Sequence, residues 1–122
     1  MVYLALGLPS FSVQRQTPIH LKVDIYNAGD TTWLHESHEP GWTRLGVHLY
    51  RDDATRSIVD FDWVRVSLPH DVPPEYRVRI DLILPPVDDP GSYVVMVDLV
   101  IENECWFADR GSSPFVVYCR VE

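Results

Sequence analysis

The chain lacks most of what would build a helical or membrane-spanning protein. No long segment repeats apolar residues at intervals of three and four, and ten prolines scattered over 122 residues leave little room for a long helix. No apolar run approaches the ~20 residues of a membrane span. The opening "MVYLALGLP" has no basic segment before it and no small-residue cleavage site after it, so it is not expected to be a signal peptide. Basic residues are few: 10 Lys and Arg stand against 18 Asp and Glu, a formal net charge of −8. Phosphate-based binding of nucleic acid needs a basic face, and so does an anionic membrane surface, so neither is an expected partner. The six glycines are dispersed and form no phosphate-cradling loop, and no cofactor is implied. With two cysteines, Cys105 and Cys119, at most one disulfide is available.

Period-two alternation takes the place of the missing helix signal. In "IHLKVDI", 19 to 25, Ile19, Leu21, Val23 and Ile25 face one way and His20, Lys22 and Asp24 the other, a strand with one wet face. "NAGD" then ends it with turn residues. "RLGVHLY" (44–50), "IVDFDWVRVSLP" (58–69), "YRVRIDLIL" (76–84), "YVVMVDLVI" (93–101) and "FVVYCRV" (115–121) read as further strands, with another near residues 2 to 6. The separators "RDDATRS", "HDVPPE", "PPVDDPGS" and "ADRGSSP" carry turn chemistry. About seven to nine strands joined this way predict an Ig-like antiparallel β-sandwich forming one domain over 1–122. An up-and-down barrel has the same periodicity. The sandwich is preferred because one strand is apolar on both faces while others alternate strictly. The alternation names the core: Ile19, Leu21, Val23, Ile25, Leu45, Val47, Leu49, Val78, Ile80, Leu82, Tyr93, Val95, Val97, Leu99, Phe115 and Val117.

Several strings stand in a suggestive order: "YNAGDTTW" (26–33), "RLGVHL" (44–49), "VSLPHDVPP" (66–74), "VRIDLILPP" (78–86), "PGSYVVMVDLV" (90–100) and "ENECWFADRGSSP" (102–114). Together they resemble the small Ig-like domains attached to bacterial glycosyltransferases and methyltransferases of surface-polysaccharide pathways. The order is also similar to the four-tryptophan Ig-like domain of selective-autophagy receptors, and this chain has Trp33, Trp42, Trp63 and Trp106. The resemblance covers nearly the whole chain. It implies a non-catalytic docking or accessory module, and some such appendages bind glycan. One departure is "PPEY", where such domains often carry Gly after the prolines and Glu75 stands here.

Candidate sites are weighed against this scaffold. In "HESHE", His35, Glu36, His38 and Glu39 have ligand chemistry, but the spacing of three is not the i, i+4 stacking of a helical zinc motif, and no third ligand lies nearby. A solvated loop without metal is expected. No serine sits in a nucleophile elbow, and Asp60 and Asp62 alternate on one strand with no cleft implied, so no catalytic residue is expected. Exposed aromatics stack on sugar faces, which makes Trp42, Trp106 and Phe107, near strand ends, the candidates for a glycan site. Tryptophans that plug the ends of the sandwich are the plainer alternative, and Trp33 is expected to cap the core.

The cysteines are expected to be free. If "ADRGSS" turns the chain about Arg110 and Gly111, Cys105 faces Val116 and Cys119 faces Glu102. That offset is ~10 Å of strand, beyond the ~7 Å reach of a disulfide between Cα atoms. Free thiols suit a cytoplasmic location.

Finally, the strands 44–50, 93–101 and 115–121 should be neighbours. Their outward residues, His48, Tyr50, Val94, Met96, Val100, Val116 and Tyr118 with Asp98 among them, would then form one apolar face. Such a patch marks an interface. The expected partner is a neighbouring catalytic domain or a second copy of the chain, unless the amino-terminal segment or residues 51–65 cover it.

Overall fold

The computed structural model of the chain describes residues 2–6, 10–35, 42–102, 105–110 and 114–122; for 2–6 and Arg110 it describes the backbone alone. Among these lie nine strands: β1 Val2–Leu6, β2 Ser10–Val13, β3 Ile19–Asn27, β4 Thr43–Arg51, β5 Ile58–Ser67, β6 Arg77–Leu84, β7 Gly91–Ile101, β8 Cys105–Trp106 and β9 Phe115–Val121. A 3-10 turn covers Phe107–Arg110. The small sheet runs β1-β3-β6. The large sheet runs β2-β9-β7-β4-β5, with β8 paired to β7. This is the expected Ig-like sandwich, and β9, β7 and β4 are indeed neighbours. One ladder is parallel: after β1 pairs antiparallel with β3, the chain crosses to the other sheet, where β2 lies parallel to β9.

The alternation that predicts the core holds where a strand has a sheet opposite. β6 is the plainest case: Val78, Ile80, Leu82 and Leu84 are buried, and Arg77, Arg79, Asp81 and Ile83 are exposed. The expected core residues are buried except Leu21 and Phe115, which are half-buried against it. Each buried aliphatic side chain contributes about 1.5–3 kcal/mol of transfer free energy. Leu68, Val72, Cys119 and Val121 join the core as well.

One end of the sandwich is closed by Asn27 and Trp33. Asn27 is fully buried, and its side-chain Nδ2 donates to the carbonyls of Thr31 and Val72, both at 2.9 Å, while Oδ1 accepts from the Gly29 N–H at 3.0 Å. Trp33 and Val72 exchange both backbone hydrogen bonds at 2.9 Å. The indole caps the core as expected and meets Phe107 edge-on, with ring centroids 5.8 Å apart. The "PPEY" departure resolves into a definite turn. The Tyr76 N–H donates to the Pro73 carbonyl, and Glu75 has φ of 71°. That is the signature of a type II turn, whose third residue ordinarily favours Gly.

Both cysteines are free, but the pairing differs from the expected one. The segment holding Cys105 does not form a hairpin with β9. It folds back on β7, so that Cys105 faces Ile101, while Cys119 faces Tyr93 near the other end of β7. The sulfurs are therefore separated by the length of a strand. Cys105 and Trp106 already pair back onto β7, so the hairpin lies ahead of "ADRGSSP" rather than at it. Burial pushes the Cys119 thiol up to about 11.

Candidate functional site

The outer face of the large sheet is where the sequence placed an apolar patch, and the strand registers order it into rows. Tyr50, Val94 and Tyr118 stand in one row, and His48, Met96 and Val116 in the next. Further along, Gly46 stands beside Asp98 and Arg44 beside Val100. The first two rows extend onto β5: Ile58 lies opposite Tyr50, and the Phe61 ring stacks on His48 with centroids 4.1 Å apart. Register slips in the β4–β5 ladder between Val47 and Tyr50 allow this. An irregular ladder re-aims side chains, turning Phe61 onto His48 while Trp63 packs against the core.

Part of the expected patch is covered by the chain itself. Trp106 lies across the sheet, tilted against His48 at 4.4 Å between centroids and edge-on to Phe61 at 5.7 Å. It passes so close to Gly46 that a Cβ there would lie 2.3 Å from Trp106 Cζ3. A glycine inside an alternating strand marks such an approach, and "RLGVHLY" held that signal. His48 is 4% exposed and its Nδ1–H donates to the Phe61 carbonyl. Val100, opposite Trp106 in register, is buried too. Val94, 0% exposed, sits between two longer tyrosines. These three residues are therefore not surface, a correction to the expected face. What remains open is Tyr118, 44% exposed, with half-buried Tyr50, Met96 and Val116.

Asp98 explains how Trp106 is held. It is 3% exposed, and its two carboxylate oxygens accept from the backbone N–H groups of Leu99 (2.8 Å) and Ala108 (3.1 Å). The second bond ties the 3-10 turn to the sheet, directly after the indole. Burial raises the Asp98 carboxyl above its ordinary value, and the two N–H groups, then the nearby His48, oppose that rise. Arg65 secures the other side: its guanidinium is 5.3 Å from the Trp106 ring centroid, its Nη1 donates to both Glu102 carboxylate oxygens at 2.8 and 2.7 Å, and its Nε donates to Asp62 at 2.8 Å.

The proposed sugar-stacking aromatics are occupied similarly. Trp106 is engaged as described, Phe107 packs on Trp33, and the Arg44 guanidinium stands 5.1 Å over Trp42. Of the "HESHE" group, His35 is turned to Asp71, whose carboxylate accepts from the His35 backbone N–H at 3.0 Å and pairs with Nδ1. This partner holds the Asp71 carboxyl below its usual range. Glu36, His38 and Glu39 lie outside the described residues. Beside Tyr118 there is an open hollow of about 400 Å³, lined by Ser10, Ser12, Asp52, Ser92 and Arg120 among others. It was not expected, because β2 brings its serines in only through the parallel pairing with β9.

Solved enzymes contain this sandwich. The chain is similar to part of β-glucosidase from Listeria innocua in complex with glucose, at a TM-score of 0.56 and 14% identity over 98% of this chain. A mutant of that enzyme with laminaribiose gives 0.58 and 13% over 100%, and a complex with isofagomine gives 0.57 and 13% over 99%. At that identity the likeness is one of fold. The chain spans 16% of the length of each of those chains. No family model matches it, and no curated protein does. No helix among the described residues is long and apolar enough to cross a membrane.

Proposed function

We propose that this sandwich is a non-catalytic interaction domain, carried by a cytoplasmic bacterial enzyme of a polysaccharide pathway. In this reading it packs the open part of its large sheet against a neighbouring catalytic domain or a second copy of itself. The observation that carries it is the strip of Tyr118, Val116, Met96 and Tyr50, continued by Phe61 and Ile58 on β5. Methionine and tyrosine suit such a face, being adaptable or amphipathic. The resemblance to accessory domains of glycosyltransferases and methyltransferases supplies the enzyme context, and the two free thiols suit a reducing compartment. The test is sedimentation of the chain over a wide concentration range, with and without Met96→Lys. Association that weakens in the variant while its melting temperature holds supports the reading. A chain that stays monomeric throughout, and gains no stability when joined to its catalytic neighbour, overturns it.

A second reading, a carbohydrate-binding module, is favoured by the Tyr118 hollow rather than by Trp42, Trp106 or Phe107. An exposed ring offers a stacking face for a sugar, and Asp52, Arg120 and the serines offer partners for its hydroxyls. A glycan array tests it. Binding lost in Tyr118→Ala but retained in Trp42→Ala supports it, and no bound glycan removes it.

A further inference from the structure

The edge strand β5 has an exposed surface that the sandwich itself does not use. Among the described residues its only strand ladder is with β4. The opposite edge of the large sheet, β2, is four residues long, and the small sheet ends in five-residue β1 and in β6, which sets Arg77, Arg79 and Asp81 outward. Short or charged edges resist pairing with other chains. β5 runs for ten residues, and its first half, "IVDFD", has no Lys, Pro or Gly; its charge is all acidic, in Asp60 and Asp62, and its ladder to β4 slips register there. Ile58, Val59 and Phe61 are 64%, 45% and 44% exposed.

We infer that this edge accepts an added strand: an extended segment in which lysine or arginine alternates with apolar residues. The apolar side chains would cover Ile58 and Phe61, which share the outer face, and backbone hydrogen bonds along the free edge would supply affinity, as in other strand additions. Charge selects the occupant. Asp60 is exposed and has no ion-pair partner among the described residues, while Asp62 shares its carboxylate with Arg65. Asp52 and Asp53 add negative charge in the preceding turn. A second copy of β5 would bring Asp60 and Asp62 up to their own equivalents, and like charges across a strand pair destabilise it; a net charge of −8 adds to the penalty. A basic strand gains at both positions. The inference deepens the interaction reading but uses the sheet edge rather than its face, so each can fail alone.

The experiment titrates isotope-labelled protein with a short acetylated and amidated peptide alternating lysine and valine, with its glutamate–valine counterpart as control. Amide shifts and slowed exchange should concentrate on 58–62 and weaken with added salt. Asp60→Lys, at an exposed position, should weaken binding by about tenfold or more. Ile58→Pro, at a residue whose pairing with Tyr50 lies outside the hydrogen-bonded pair of Arg51 and Ser57 and so leaves its N–H on the free edge, should weaken binding further if that variant folds. Met96→Lys should leave the peptide affinity unchanged while testing the face separately. Equal binding of the glutamate peptide, or shifts centred on Met96 and Tyr118, overturns the inference. So does self-association that Asp60→Lys strengthens and Ile58→Pro abolishes, since the occupant would then be a second copy.

Discussion

The outer faces of the two sheets read alike as alternations and differ completely as surfaces. On the small sheet the outward residues of β3 and β6 are mostly polar, His20, Lys22, Asp24, Arg77, Arg79 and Asp81 with Ile83 the apolar exception, and they meet water: Arg79 holds Asp24 at 2.8 and 3.2 Å in an exposed pair. On the large sheet the outward residues are mostly apolar, and the chain returns to cover them with Trp106 and Phe61. A polar alternation needs nothing above it. An apolar one demands a cover, and the cover is partly intramolecular, bringing a buried His48 and Asp98 with it.

The strongest way to break the contrast is to remove the cover. Trp106→Ala uncovers His48, Val100 and Asp98, and should cost about 3 kcal/mol, the low end for a tryptophan truncation because the indole is only half-buried. Arg79→Ala, on the wet face, should leave the unfolding midpoint unchanged, since exposed ion pairs contribute little. Urea unfolding of both variants decides it; equal losses would mean that the two faces are not different in kind. Next in size is the anchor. Asp98→Ala leaves the N–H groups of Leu99 and Ala108 without their acceptor and should cost about 1–3 kcal/mol. It should also shift tryptophan emission to the red as the 3-10 turn loosens. A loss of stability with unchanged emission would separate Asp98 from the placement of Trp106.

The sandwich was legible because β3, β4, β6 and β7 each bury one strict alternation against the opposite sheet, and a period of two fixes the face whatever the partner. Trp33 was legible from its turn. β5 was legible as a strand but its faces were not, because slips of register break its alternation and its first half is exposed. The cover was illegible for another reason. Whether 105–110 pairs with β7 or β9 is a long-range choice between two apolar neighbours, and strand propensity does not decide it. The Gly46 gap is the one local trace of the answer. Free thiols were foreseen on a mistaken register, so the agreement does not validate that route. Thiol titration of the unfolded, unreduced chain should still find both cysteines, and in the folded chain Cys119 should react slowly, being buried with a raised pKa.

The smallest effect separates the faces by sign rather than by size. On the wet side, Arg79 holds the Asp24 carboxyl below its ordinary value, and in exposed turns Ser57 does the same for Asp53 and His35 for Asp71. A carboxyl lowered by folding contributes stability that is present above its unfolded value, 3.8, and is lost as pH falls through the folded value. Asp98 is raised by burial, so folding favours its protonated form. Its contribution is complete below 3.8 and is lost as pH rises through the raised value. Acidification from neutrality should therefore first add stability through Asp98 and then remove it, below 3.8, through the exposed carboxylates. Denaturant midpoints measured from about pH 7 to about pH 3 would trace this. Asp98→Asn should flatten the mild-acid rise and keep the acid fall. Asp24→Asn should keep the rise and make the fall shallower. If Asp98→Asn leaves the rise intact, the rise comes from relief of the −8 net charge, and the buried carboxyl has no part in it.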